Sequence, residues 1–90
     1  MEQTQGPYKY ARLTGAATTT LVSGKAMLHA VTVGTAGTSI TIYDNTTNTG
    51  TIIGVIGTGV GYFPYDVECG VGLTVTTAGA GDATVTFLLR

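Results

Sequence analysis

Few side chains in this 90-residue sequence have the type and spacing that chemistry requires. His29 is the only histidine. A Ser-His-Asp device is formally open to it with Ser23 or Ser39, but neither serine sits in a G-x-S-x-G nucleophile elbow. His29 is therefore read as lining a strand face or a contact between subunits. Cys69 is the only cysteine, has no basic neighbour in sequence to lower its pKa, and precedes a glycine. It reads as a structural thiol. Asp66 and Glu68 lie two apart, so on a strand they share a face. A pair of catalytic carboxylates also needs a cleft between them, which a domain of this length seldom builds. Asp44, Asn45 and Asn48 carry oxygen donors, yet their spacing departs from the EF-hand pattern, and a solvated turn is the expectation. Gly57-Thr58-Gly59-Val60-Gly61 lacks the Lys-Ser/Thr of a phosphate-binding loop. Asn45-Thr46-Thr47 matches the glycosylation acceptor pattern, a frequent coincidence in a Thr-rich chain. No catalytic residue, cofactor site or metal site is assigned.

Tyr8 and Tyr10 beside Lys9 and Arg12 form the one mixed aromatic and basic cluster. Such a cluster can stack single-stranded nucleic acid. Protein interfaces are also enriched in Tyr and Arg, and this is the favoured reading. Tyr43, Tyr62, Phe63 and Tyr65 complete the set of candidate interface residues. The last four could alternatively stack on a sugar.

The bulk composition narrows the classes further. Lys plus Arg is 4, Asp plus Glu is 5, and the net charge is -1. Charged residues make up 10% of the chain, against about 25% in ordinary domains. The basic residues Lys9, Arg12, Lys25 and Arg90 are scattered, so neither a nucleic-acid footprint nor a polybasic membrane patch is present. Thr and Gly together supply roughly a third of the residues, where Gly alone averages about 7%. Two readings follow: a surface largely covered by neighbours, which is favoured, or a Thr-rich β-domain kept in solution by its hydroxyls. A single core of this size is marginal, and small scaffolds add disulfides, metal or oligomerisation. One Cys excludes an internal disulfide, and one His with one Cys cannot build a structural zinc site, leaving oligomerisation. No apolar run approaches the ~20 residues of a membrane span. The start MEQTQGPYKY lacks a basic region and an apolar stretch, which sets the expectation of cytoplasmic synthesis without a signal peptide.

The elements that must position these residues are strands. Thr, Val, Ile and Tyr dominate, no window sustains a 3.6-residue apolar period, and glycine recurs too often for helices. Residues 1–7 read as an extended arm ahead of a single domain over residues 8–90. Within the domain, strands are expected at 8–14, 18–23, 25–33, 39–43, 51–56, 62–67, 71–77 and 83–90. Alternation places Ala11 and Leu13 opposite Tyr10 and Arg12. It also groups Met27, His29, Val31 and Val33; Phe63, Tyr65 and Val67; Val71, Leu73 and Val75; and Ala83, Val85, Phe87 and Leu89. Pro64 has no N–H to give to a ladder, so its strand belongs at a sheet edge or at a bulge. About eight short antiparallel strands at 8–12-residue spacing indicate an all-β, single-domain β-sandwich, jelly-roll or immunoglobulin-like.

The series LHAVTVGTAGTSITIYDNTTNTGTIIGVI, followed by YFPYDVECGVGLTVTTAGAGDATVTFLLR, resembles small virion proteins of tailed bacteriophages. The resemblance runs from Lys25 to Arg90. It rests on Ile42-Tyr43-Asp44-Asn45, on Asp66-Val67, on Gly72-Leu73-Thr74-Val75 and on the closing strand. It implies a β-sandwich that assembles on a particle: a capsid decoration or cement protein, or a head-fibre, tail or adaptor component. It further implies a homo-oligomer, with a trimer favoured, made in the host cytoplasm and located in the virion. Its partners would be the major capsid protein or other virion proteins. No catalytic residue carries over; Tyr43, Asp44, Gly72 and Leu73 transfer only as fold positions. The alternative is a receptor- or carbohydrate-binding module of a tail or fibre.

Overall fold

The computed structural model describes residues 8–37 and 39–90; the arm expected over residues 1–7 lies outside the described residues. Eight strands follow in order: β1 (Lys9–Thr14), β2 (Ala17–Ser23), β3 (Ala26–Thr35), β4 (Ser39–Tyr43), β5 (Ile52–Ile56), β6 (Gly61–Cys69), β7 (Gly72–Ala78) and β8 (Asp82–Leu89). They match the alternation and turn chemistry of the sequence to within a few residues at each end.

The pairing has a simple rule. The chain folds back about the polar turn between β4 and β5, so that β4 pairs with β5, β3 with β6, β2 with β7 and β1 with β8, all antiparallel. This long hairpin then wraps on itself through β3–β8 and β4–β7. Two four-stranded sheets result, ordered β1-β8-β3-β6 (sheet A) and β2-β7-β4-β5 (sheet B). That is a jelly-roll sandwich. It differs from the immunoglobulin arrangement, in which the first two strands share a sheet; here β1 and β2 lie in opposite sheets.

The core lies between the sheets. Leu28, Val31 and Val85 from sheet A meet Ile42, Leu73 and Val75 from sheet B, all six fully buried. Each such side chain contributes about 1.5–3 kcal/mol on leaving water. The domain measures 41 × 28 × 17 Å, so the two outer sheet faces dominate its surface.

Two local departures from alternation matter for what faces outward. Met27 and His29 do not share a face with Val31 and Val33, contrary to the expected grouping. Ala26, Leu28, Ala30, Val31 and Val33 are the buried residues of β3, while Met27 and His29 are only half-buried. The cause is a bulge: Leu28 opposes Phe87 but Ala30 opposes Thr86, so β3 spends an extra residue where β8 does not. The extra residue flips the phase of everything after it. A second irregularity lies on β6, where Leu28 opposes Val67 and Ala30 opposes Pro64. Asp66 absorbs it at φ 55. Pro64 thus stands on an edge strand and beside a bulge, the two settings its missing N–H requires. Val71 precedes β7 and is exposed, unlike Leu73 and Val75; Leu89, at the end of β8, is exposed as well.

Candidate interaction faces

Charge is divided unequally between the sheets. Lys9, Arg12, Asp66, Glu68 and Asp82 all lie in strands of sheet A, whereas β2, β7, β4 and β5 carry no charged side chain. The two outer faces are consequently different surfaces.

On sheet A, register aligns Arg12, Thr84, Thr32 and Tyr62 in one row across all four strands. Tyr10 and Tyr62 stand well out of the surface, 74% and 58% exposed. Arg12 reaches Asp82 with two hydrogen bonds, Nε to Oδ1 at 2.9 Å and Nη2 to Oδ2 at 2.6 Å. Arg90 holds Glu68 the same way, Nε to Oε1 at 3.3 Å and Nη2 to Oε2 at 2.6 Å. The Asp82 carboxyl is held below the usual range by the hydrogen bond from Arg12. Exposed pairs of this kind add little stability. Their effect here is to neutralise both guanidiniums locally, which removes the positive potential a nucleic-acid face needs.

Tyr8 stacks on His29 with ring centroids 3.8 Å apart and planes 12° apart. The Thr86 hydroxyl lies 3.2 Å from the Ala30 carbonyl oxygen and 2.9 Å from His29 Nδ1, which ties the ring to β8. Ser23 and Ser39, the serines a triad would need, belong to the other sheet. His29 thus orients Tyr8 on the outer face of sheet A.

On sheet B, two rows cross the outer face. One is Thr18, Thr76, Thr41 and Val55; the other is Thr20, Thr74, Tyr43 and Ile52. The hydroxyls of Thr18 and Thr76 bond to each other, and those of Thr20 and Thr74 donate to nearby backbone. Thr18 and Thr76 lie 3.1 Å apart, as do Thr20 and Thr74. Thr20 donates to the Thr46 carbonyl at 3.0 Å and Thr74 to the Asn45 carbonyl at 2.8 Å. At the β5 side the face becomes apolar, with Ile52 and Val55 exposed by 53% and 59%.

The polar turn between β4 and β5 is anchored to the start of β7. Asp44 Oδ1 accepts the N–H groups of Val71 at 2.9 Å and Gly72 at 3.3 Å, and Oδ2 accepts that of Gly70 at 3.1 Å. Asn45 bonds within the turn, Oδ1 to the Thr46 N–H and Nδ2 to the Thr49 carbonyl, both at 2.8 Å. Of the oxygens weighed as cation ligands, those of Asp44 and Asn45 therefore serve the backbone. Asp44 and Gly72, fold positions in the resemblance, are in direct contact.

The candidate interface residues divide among several places. Tyr8, Tyr10, Arg12 and Tyr62 lie on the outer face of sheet A. Lys9 is exposed on the edge strand opposite Phe87, on the inward side of the register. Tyr43 is half-buried in the outer row of sheet B. Phe63 and Tyr65 pack inward against the core, so these four aromatics form no single platform. Both inward rings border an open groove of about 250 Å³ with Val55, Ile56, Gly57, Thr58 and Gly59. What the sequence reading missed was the Thr rows; alternate threonines in 18–20 and 74–76 were the available signal.

Cys69 is buried, and burial first, then the nearby Asp44 carboxylate, pushes its thiol up to about 11. The thiolate is the reactive form. An aromatic disulfide reagent at pH 8 is therefore expected to leave the native domain unlabelled and to titrate one thiol per chain once it is unfolded.

The chain matches no protein-family model, no curated protein and no solved structure.

Proposed function

We propose that this domain is a structural protein of a bacteriophage virion, a capsid decoration or cement protein that stabilises the head through protein–protein contacts. The observation that carries the reading is the outer face of sheet B. Its strands carry no charged side chain to desolvate, and the hydroxyls of Thr18, Thr76, Thr20 and Thr74 are already bonded within the fold. Burying polar groups costs free energy chiefly when their hydrogen bonds to water go unreplaced. A neutral face with most of its threonine hydroxyls satisfied internally can be covered at low cost, and Ile52 and Val55 supply apolar area to gain. In this reading the partner is the major capsid protein or another shell component, copies of the domain associate with each other, and repetition across the shell adds avidity. The protein catalyses nothing and takes no cofactor.

The test is cosedimentation with heads and tails of the virus that encodes the chain. Thr41→Asp places a charge at the centre of the sheet B face and is expected to weaken binding at least about tenfold, since an unpaired buried charge is strongly penalised. Thr84→Asp, at the matching centre of sheet A, is expected to leave binding intact. Absence of wild-type binding to either particle would refute the proposal.

A second reading, a receptor- or carbohydrate-binding module of a tail or fibre, is favoured by the groove beside Phe63 and Tyr65. Its lining is uncharged and combines aromatic rings with a hydroxyl and glycine backbone, which suits a neutral sugar. A glycan array without a hit would count against it.

A further inference from the structure

A two-sheet sandwich has four edge strands, and each open edge invites pairing with another chain. Here the edges are β1 and β6 in sheet A, β2 and β5 in sheet B. Three are guarded. β1 carries Lys9 and Arg12. β6 carries Pro64, a bulge with Asp66 at φ 55, and the charges of Asp66 and Glu68. β2 is broken in mid-strand by a register shift between Thr20 and Val22. These are recognised devices against edge-to-edge association.

β5 has none of them over most of its length. Its sequence, Ile52-Ile53-Gly54-Val55-Ile56, contains no charge and no proline. Its one irregularity falls near its start, between the Ile42–Gly54 and Tyr43–Ile52 pairs, and leaves Gly54 to Ile56 in regular register against Ile42 to Ile40. Among the described residues, the only ladder that β5 joins is the one to β4.

We propose that β5 pairs antiparallel with β5 of a second copy of this chain about a two-fold axis near Val55. The second copy is the occupant the edge suits, for three reasons. A two-fold pair of strands is self-complementary, each satisfying the other's outward N–H and C=O groups. The absence of charge means that identical edges meet without repulsion. Each chain offers one unguarded edge, so pairing closes at two and does not propagate. An axis at Val55 sets Val55 against its own copy on the outer face, a β-branched cross-strand pair that covers the most exposed side chain of the strand. The row Thr18, Thr76, Thr41, Val55 then continues through the axis into its equivalent. Sheet B becomes eight strands wide, with one continuous uncharged face. This predicts two-fold self-association in place of the trimer expected from the phage resemblance.

With the axis at Val55 only Gly54–Ile56 of each copy pair strand to strand, which buries less than the ~800 Å² per partner of a standard interface, so pairing is weak and concentration-dependent. Sedimentation equilibrium of the purified chain between about 10 µM and about 1 mM is expected to show mass rising from 9.2 kDa toward twice that value. Amide exchange over β5 is expected to slow on the order of tenfold at the higher concentration. Val55→Lys faces two like charges across the axis and is expected to hold the chain at 9.2 kDa. Val60→Lys removes another exposed apolar side chain, in the loop beyond the edge, and is expected to leave pairing unchanged. A chain that stays monomeric at about 1 mM, a trimer with unprotected β5 amides, or a Val55→Lys variant that pairs like wild type would overturn the proposal. No particle enters this experiment, so its outcome is independent of whether the domain binds a capsid.

Discussion

Replacing Gly72 with alanine is expected to destabilise the domain by about 3 kcal/mol or more, a large share of the 5–15 kcal/mol typical of whole domains. A Cβ at this position would lie 2.7 Å from the Asn45 carbonyl oxygen and 2.9 Å from that of Val22. Neither oxygen is free to retreat. That of Asn45 accepts the Thr74 hydroxyl at 2.8 Å, and Val22 is buried in β2 beside the strand that Gly72 begins. The requirement is for close backbone approach, and the clash is with main chain on two sides. Relief means lifting the turn at Asp44–Asn45 off β7, which also breaks the contacts of Asp44 with Gly70, Val71 and Gly72. For a domain of this size each kcal/mol shifts Tm by about 4–8 °C, so calorimetry should show a fall of roughly 12 °C or more. Gly57→Ala is the control: its Cβ meets nothing within 4 Å, and its midpoint should stay within about 1 kcal/mol of wild type. Equal midpoints for the two variants would contradict this account of the turn.

Asp44→Ala is expected to cost about 2–3 kcal/mol, because hydrogen bonds to a charged acceptor are worth more than neutral ones and three N–H groups lose theirs together. Asp44→Asn, which keeps one oxygen acceptor, should fall between. The same carboxylate gives the fold an acid dependence of definite sign. Its pKa is lowered, chiefly by the Val71 N–H and then by those of Gly70 and Gly72, with partial burial opposing. The unfolded chain therefore takes up the proton first. The stability this group provides is fully present above the unfolded value of about 3.9 and is lost as pH falls through that value and then through the folded one. Urea midpoints of the wild type should drop across that acid range, and those of Asp44→Asn should drop less. Asp82, lowered by its bond from Arg12, acts in the same window and should leave a residual slope in the variant.

How much of this was legible in the sequence depended on the range of the interaction. The eight strands were, because alternation and turn residues are local signals. Pro64 announced an edge because a missing donor has only a few tolerable places. The phase slip in β3 was not: Ala26 to Val33 offers apolar residues on both alternations, and only the partner strand decides where the extra residue goes. Val71 alternates with Leu73 and Val75 in the sequence, but the Asp44 turn holds it just outside the strand. Asp44 itself looked like one polar turn residue among several, since its three partners lie 26 to 28 positions away. The aromatic candidates are legible in the sequence by type alone. Alternation grouped Phe63 and Tyr65, and the fold turned that side toward the core. The charge-free face of sheet B emerged only once β2, β7, β4 and β5 were seen to be neighbours, although every residue that makes it was in view.

The central claim is that the uncharged outer face of sheet B is covered in the assembled particle. Electron microscopy of virions carrying this chain, at a resolution that traces strands, tests it most directly. The account predicts that the row of Thr18, Thr76, Thr41 and Val55 lies against a shell protein, while Tyr10 and Tyr62 on sheet A are turned away from that contact. A particle in which sheet B faces solvent and sheet A makes the contact, or a virion without the chain, would contradict it.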